Sequence, residues 1–286
     1  MANILLGKDV ADQMTAELIE RVATLRDKGI EPTLAIVRVG EQGDDIAYER
    51  GALKRAERVG VRVLVRAFPG NVDQDLLKNE IQQINQDDSL HGCLLFRPLP
   101  SHLDEKEICD TLLAEKDVDG ISSASMAGLF AGSGEVFAPC TAEATLAMLK
   151  HNRIPIKGAK ATVIGRSLVI GKPVAMMLLA EHATVTICHT RTLDLGEVTR
   201  QSDLIIACAG KAEMVTADMV APGQTVIDVG INVTEDGRLA GDVAFDQVEP
   251  IVANISPVPR GVGSVTTTIL MQHVVEAAER RLESQK

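Results

Sequence analysis

Residues 161–173 carry the clearest chemistry in the sequence. A β-branched run (Thr162, Val163, Ile164) breaks at Gly165-Arg166-Ser167, and an apolar helical pattern, Val174 to Glu181, follows Gly171-Lys172-Pro173. A strand, a glycine loop and a helix with Pro in its first turn would bring free N–H groups and a positive dipole end to a phosphate. The spacing departs from Gly-x-Gly-x-x-Gly, so the reading rests on the strand-loop-helix context. Taken alone, the segment also fits a tight turn bearing a surface arginine. The next strand-like run, Thr184 to Cys188, ends in His189-Thr190-Arg191-Thr192. An acid at that strand end would hold a ribose 2′-hydroxyl, whereas an arginine suits a 2′-phosphate. No acid stands there, and Arg166, His189 and Arg191 are available. NADP is preferred to NAD.

Alternating helix and strand patterns surround this loop. Residues 9–28 place Val10, Met14, Leu18, Val22 and Leu25 at helical spacing, and the strand Thr33 to Val37 follows. Helix is expected at 44–59, 73–85 and 104–115, and strand at 61–67 and 91–96. Residues 121–137, rich in Ser, Ala and Gly, close a first unit, and a helix over 141–151 leads to a second. That second unit has strands near 161–165, 184–188, 203–208 and 225–229. Such alternation predicts an α/β fold of parallel sheets covered by helices. The expected domains are 1–145 plus 266–286, with a long amphipathic helix returning from 265–282, and a Rossmann-type domain over 146–265. The carboxyl ends of the strands, in a cleft between the units, are the expected site.

Composition narrows the classes. The 286 residues carry a net charge of −11, one Tyr and no Trp, which argues against nucleic-acid binding. No apolar run reaches membrane-spanning length, and the first residues lack a signal-peptide layout. The five cysteines are scattered without a Cys-x-x-Cys pair, and the six histidines are isolated. Reduced thiols, a cytoplasmic location and no metal site are the expectation.

Several segments together resemble the bifunctional methylenetetrahydrofolate dehydrogenase/cyclohydrolase (FolD) family. They are Val39-Gly40 with Tyr48, Pro98-Leu99-Pro100, Glu115 to Gly120, and Pro139-Cys140-Thr141. The series continues with Ile164 to Ser167, Gly171-Lys172-Pro173, Val226 to Asn232, Gly241-Asp242-Val243 and Ser256 to Pro259. The resemblance implies NADP-dependent oxidation of 5,10-methylenetetrahydrofolate, then hydrolysis of the methenyl product to 10-formyltetrahydrofolate, in a cytoplasmic homodimer. It implies that Asp119 holds the pterin amino and ring N–H groups, a task suited to paired acceptors, and that Tyr48 borders the ring. It assigns Gly165, Arg166, Ser167, Gly171, His189, Arg191 and Ile231 to the cofactor. Read without the family, Asp119 is also an Asx turn before Gly120, and Tyr48 a packed helix residue.

The departures from the family pattern lie on the substrate side. The lysine expected four residues after the tyrosine is Ala52. Lys54 lies two residues on, about 200° around the helix. The glutamine of Leu-Val-Gln-Leu-Pro falls on Phe96, its apolar neighbour is Arg97, and the loop Pro-Gly-Gly-Val-Gly-Pro reads Pro259 to Ser264 with Arg260 at a glycine. The asparagine expected after Asp-Gly is absent. Phe96 either stacks a pterin or finishes a buried strand; Arg97 and Arg260 either bind folate or are solvated. Hydride transfer needs alignment and no protein base, whereas hydrolysis needs a proton shuttle. The expectation is therefore a dehydrogenase with weak or absent cyclohydrolase activity. The alternatives are an NADP-dependent oxidoreductase on a different substrate and a catalytically silent folate- or NADP-binding protein.

Overall fold

Apolar strands buried on both faces and helices with one apolar stripe have one economical arrangement, a parallel sheet with helices laid on it. The chain makes two of these. The structure, a computed structural model, describes residues 1–234 and 237–284. In chain order the elements begin with β1 (Asn3–Ile4), α1 (Gly7–Asp27), β2 (Thr33–Val39), α2 (Gly43–Val59) and β3 (Arg62–Phe68). There follow α3 (Gln74–Gln86), β4 (Gly92–Leu95), α4 (Glu105–Thr111), α5 (Ser123–Ala131) and α6 (Cys140–His151). Then come β5 (Lys160–Ile164), α7 (Gly171–Ala180), β6 (Thr184–Cys188), α8 (Leu195–Arg200), β7 (Leu204–Ala207) and β8 (Thr225–Asp228). The last are β9 (Asn232–Val233), β10 (Leu239–Ala240), α9 (Phe245–Val248), β11 (Asn254–Ile255) and α10 (Thr266–Ser284).

One unit holds Gln13–Cys140 and the chain from Thr267 onward. Its sheet has the order β3-β2-β4, all parallel, with Leu34, Ala35, Ile36 and Val37 of β2 fully buried. An isolated parallel bridge from Cys93 to Asp117 adds the 117–119 segment beyond β4. Helix α3 shows why the pattern works: Leu77, Ile81 and Ile84 fall on one buried face, and the Asp73 side chain caps the N–H groups of Asp75 and Leu76. These residues pack with Val37, Leu95 and Ile108 in one core. The Lys116 ammonium is buried where it donates to the carbonyls of Ile84 and Asp87 at 2.6 and 2.7 Å, tying α3 to the strand-like 116–119 segment.

The other unit holds Met1–Asp12 and Thr141–Thr266. Its six-stranded sheet has the order β1-β11-β8-β7-β5-β6, parallel throughout, beside a two-stranded antiparallel ribbon of β9 and β10. From β5 the chain crosses to β6 on one side and to β7 on the other. That makes the carboxyl ends of β5 and β7 the topological switch point, where ligands of open α/β sheets bind.

Three features differ from the sequence reading. Residues 1–12 were expected with the first-half domain, but β1 pairs with β11, Asn3 opposite Asn254, so they belong to the six-stranded unit. A two-residue strand is too short to show a period. The Ser-, Ala- and Gly-rich stretch 121–137 contains helix α5, started by the Ser122 side chain accepting from Ser125 N and stopped by Gly132 at φ 72°. Helix α7 begins at Gly171, three residues before the apolar pattern.

His91, just before β4, is 7% exposed, and its Nδ1 accepts the Thr33 N–H at 3.2 Å. Burial lowers its pKa to about 4, and Arg281 and Lys116 act in the same direction. A folded pKa below the unfolded value of about 6.5 gives stability that is present above that pH and lost as pH falls toward 4. The loss is about 3 kcal/mol at most. Urea unfolding from pH 7 to pH 4 is expected to show it in the wild type. It should shrink in His91→Asn, whose carbonyl oxygen keeps an acceptor for Thr33.

Candidate functional site

Glycine makes the switch point possible. Gly165 has φ 132°, and a Cβ there would overlap the carbonyl of Cys208 after β7. A Cβ on Gly171 would overlap the Gly165 carbonyl, so the loop folds back onto the strand end with no room to spare. Ser167 Oγ accepts from Ile170 N at 3.1 Å and Gly171 N at 3.5 Å, while its carbonyl takes the Lys172 N–H at 3.0 Å. The expectation of free N–H groups at this helix start therefore fails for residues 170–172, whose donors turn onto Ser167. Arg166 is exposed. After β6, His189 N donates to Thr192 Oγ1 at 2.9 Å and His189 Nδ1 accepts from Arg191 N at 3.1 Å. This closed turn leaves Arg191 exposed beside the end of the sheet.

Two buried acids shape the remaining loops of this edge. Asp228, ending β8, accepts from Gly230 N and Asp242 N with Oδ1, at 3.1 and 2.9 Å, and from Val243 N with Oδ2 at 3.0 Å. Asp242 accepts from Ala209, Gly210 and Lys211 N–H groups at 2.5, 2.9 and 2.9 Å, and from Asn232 Nδ2 at 2.9 Å. The glycines are reciprocal: a Cβ on Gly241 would overlap the Asp228 carboxylate, and one on Gly230 the Asp242 carboxylate. Burial pushes Asp228 up to about 7; the three N–H groups pull it down, and nearby Asp242 adds to the rise. Exposed Ile231 follows, its Cδ1 near Gly263 of the loop after β11. In that loop Arg260 is exposed at φ 80°, a left-handed conformation that suits glycine, and its carbonyl takes the Gly7 N–H at 2.9 Å.

In the three-stranded unit the candidate residues gather at the carboxyl edge of the sheet. Arg38 of β2 pairs with Glu49 of α2 at 3.0 Å, their side chains 13% and 14% exposed, and also donates to the Gly40 carbonyl. This pair ties the second turn of α2 to the end of β2, beside Tyr48. The Tyr48 and Phe96 rings meet edge to face, with centroids 5.9 Å apart at 84°. Phe96 N extends the sheet by donating to the Val37 carbonyl at 3.0 Å. Asp117, the residue bridged to Cys93, is fully buried and accepts from Ile121 N, Ser122 N and Ser125 Oγ at 2.9, 2.8 and 2.6 Å. It fixes the turn that carries Asp119. Asp119 accepts from Cys140 N at 3.1 Å; burial raises its pKa, while Cys140 and the Arg97 charge oppose the rise.

Comparison with known proteins assigns this arrangement. Residues 5–119 match the model of the tetrahydrofolate dehydrogenase/cyclohydrolase catalytic domain, and residues 139–282 that of its NAD(P)-binding domain. The chain belongs to the tetrahydrofolate dehydrogenase/cyclohydrolase family. It is 50% identical over 281 residues to the bifunctional protein FolD of Carboxydothermus hydrogenoformans, covering 98% of each chain. It is 48% identical over 276 residues to that of Clostridioides difficile, covering 96% of each. Among solved structures, the bifunctional FolD enzyme of Campylobacter jejuni superposes with TM-score 0.96 at 38% identity, over 98% of this chain and 100% of that one. The Trypanosoma brucei FolD enzyme, complexed with NADP cofactor and inhibitor, gives TM-score 0.92 at 33% identity over 98% of both chains.

Within this family frame, the structure brings Tyr48, Phe96 and Asp119 to one sheet edge. It brings Gly165, Arg166, Ser167, Gly171, His189, Arg191 and Ile231 to loops at the carboxyl edge of the other sheet. Arg260, expected to bind substrate, stands in the six-stranded unit with the latter group. Ala52, one turn after Tyr48, is fully buried, and Lys54 is exposed on another face of α2. The sequence reading missed the roles of Asp117, Asp228 and Asp242. An acid ending an apolar strand run and followed by glycine, as in Val226 to Gly230, was the available signal.

The reciprocal glycines can be tested. Gly241→Ala is expected to lower the stability of the fold by about 3 kcal/mol or more through overlap with Asp228. Gly237→Ala, at φ 80° where an added methyl would meet nothing within 4 Å, should cost about 1 kcal/mol. Thermal unfolding of both variants distinguishes the two effects.

Proposed function

We propose that the protein is an NADP-dependent methylenetetrahydrofolate dehydrogenase of one-carbon metabolism, with weak or absent methenyltetrahydrofolate cyclohydrolase activity. The observation that carries the first part is end-to-end family similarity with the glycine cofactor loop kept. The second part rests on Ala52 and Phe96 standing where the family pattern has lysine and glutamine.

The residues at the end of the six-stranded sheet suit NADP. Gly165 and Gly171 let the loop fold back onto the strand end, exposed Arg166 and Arg191 stand at the ends of β5 and β6, and no acid occupies residues 189–192. Arg166 and Arg191 take the 2′-phosphate, His189 shapes the Arg191 turn, and Ser167 sets the loop at the helix start. Exposed Ile231, after β8, would give the cofactor an apolar contact. When bound, NADP⁺ supplies the hydride acceptor. Asp119 takes the pterin amino and ring N–H groups and fixes the ring in its plane. Tyr48 and Phe96 border its face. Hydride leaves the methylene carbon between two ring nitrogens, whose lone pairs stabilise the resulting methenyl cation. No side chain need remove a proton, so orientation is the work of these residues. Hydrolysis of that cation needs water deprotonated and a proton returned to nitrogen. Neither the Ala52 methyl nor the Phe96 ring can do this.

Incubation of the pure protein with 5,10-methylenetetrahydrofolate and NADP⁺ is expected to give NADPH together with accumulating methenyl product. A cyclohydrolase rate keeping pace with NADPH would overturn the second part. NADP binding without NADPH formation would favour a different substrate or a silent binder. The double substitution Ala52→Lys with Phe96→Gln should raise cyclohydrolase turnover at least about ten-fold, a partial recovery of the roughly 10²–10⁴-fold that general acid–base catalysis supplies.

A cytoplasmic homodimer is part of this reading. All five cysteines are free and buried, as suits a reducing compartment. Among the described residues β6 has a neighbour on one side only, with Ile187 and Leu193 exposed on and near it. Such an edge pairs readily with a second copy. Light scattering should give twice the 30.6 kDa chain mass, and Ile187→Asp should move the population toward monomer.

A further inference from the structure

The peptide that carries Asp119 is held by side chains rather than by the sheet. Pairing with β4 stops at the Cys93–Asp117 bridge, and no backbone N–H among the described residues reaches the buried Val118 carbonyl. His273 of α10, 1% exposed, places its Nδ1 2.8 Å from that oxygen. A carbonyl only accepts, so Nδ1 carries the ring proton and donates. The Cys140 thiol, a weaker donor, gives its proton to the same oxygen at 3.3 Å. The two donor atoms, 3.9 Å apart, converge on one acceptor. Cys140 also supplies the backbone N–H that Asp119 Oδ1 accepts at 3.1 Å. All of these residues lie in the three-stranded unit.

These contacts meet on one rigid plate. The Val118 C=O and the Asp119 N–H belong to a single planar peptide. Fixing its oxygen fixes the rotations on either side, and with them the direction in which the Asp119 side chain leaves the backbone. Gly120 follows at φ 59°, and a Cβ there would overlap the backbone of residues 137–139. The chain leading into Cys140 therefore lies directly against the turn. The His273 ring packs on Phe137 of that chain, with centroids 4.8 Å apart at 32°. An apolar residue of similar size would fill this volume and leave the Val118 carbonyl to the thiol alone. We propose that His273 is a positioning residue for the substrate: with Cys140 it holds the Val118–Asp119 peptide and so aims the Asp119 carboxylate at the pterin N–H groups. The proposal rests on the folate reading above and adds a residue that no motif in the sequence singles out.

Two amides test this in the full chain, with kinetics on 5,10-methylenetetrahydrofolate at saturating NADP⁺. In His273→Asn the amide Nδ2 takes the place of Nδ1, and KM is expected to stay within about two-fold of the wild type. His273→Gln carries its N–H one methylene further along, away from the Val118 oxygen. It should raise KM about three- to ten-fold, the range of one hydrogen bond, with kcat little changed. The Kd of NADP⁺ should be the same in both. Cys140→Ala, which keeps the backbone N–H and removes the thiol, should raise KM in the same direction. Equal KM values in the Asn and Gln variants overturn the proposal. So does a fall in kcat at constant KM, the mark of lost folded enzyme and a purely structural role. Should His273→Gln not fold, Cys140→Ala decides, and an unchanged KM there overturns the proposal. A wild type that neither binds nor oxidises 5,10-methylenetetrahydrofolate overturns the folate reading itself. Turnover with a KM indifferent to residue 273 overturns the role of His273 alone.

Discussion

A carboxylate buried among backbone N–H groups is the interaction on which both sheet edges depend. Where a parallel strand ends, the chain must turn while its peptide donors are still out of water, and each needs an acceptor. Asp242 meets four donors from two loops, Asp228 three, and Asp117 three. A charged acceptor binds such donors more strongly than a carbonyl does. Withdrawal of any of these acids would leave several buried donors unmatched at once. The loops are thereby fixed in shape although they contain almost no regular structure.

Close approach is the complementary requirement. Gly230 and Gly241 each leave the volume that the other loop's carboxylate fills, and Gly165 and Gly171 let a loop fold back onto its own strand end. The result at the end of the six-stranded sheet is a close-packed turn with Arg166 and Arg191 exposed beside it. In the three-stranded unit the same end of the sheet carries rings instead, beside the partly buried Arg38–Glu49 pair that ties β2 to the second turn of α2. The Tyr48 position is thus set by electrostatics in β2 and α2 rather than by contacts of its own ring alone.

Periodicity made the larger elements legible. Helices α1, α2 and α3 and strands β2, β5, β6 and β7 have apolar spacings that admit one reading, and the structure places them within a few residues of it. The two-residue strands β1 and β11 carry no period, and they decide to which sheet the first residues belong. Helix α5 was hidden because its Ser-, Ala- and Gly-rich sequence lacks an apolar stripe; a serine cap and a terminal glycine define it. Residue types at motif spacing singled out Tyr48, Asp119 and the glycine loop, which the structure sets at the carboxyl edges of the two sheets. The acids that hold those loops were passed over, because an aspartate that gathers backbone donors looks like any turn aspartate unless its place after an apolar run and before a glycine is weighed. Only the distances separate Asp117 from Asp119, two residues apart with different tasks.

The charge inventory of the substrate edge bears on how the two family reactions separate. At Ala52 the chain has a buried methyl in place of an amine that could titrate. At Arg97 it has a guanidinium, which offers N–H donors and no acceptor. A fixed charge can orient a ring and select among its oxygen and nitrogen substituents, but it cannot accept a proton from water and return it to nitrogen. Hydride transfer asks only for the first of these, and hydrolysis asks for the second. On the proposed reading the edge serves alignment rather than proton transfer, and Ala52, Phe96 and Arg97 are side-chain departures set on the same backbone framework of Asp117 and the sheet.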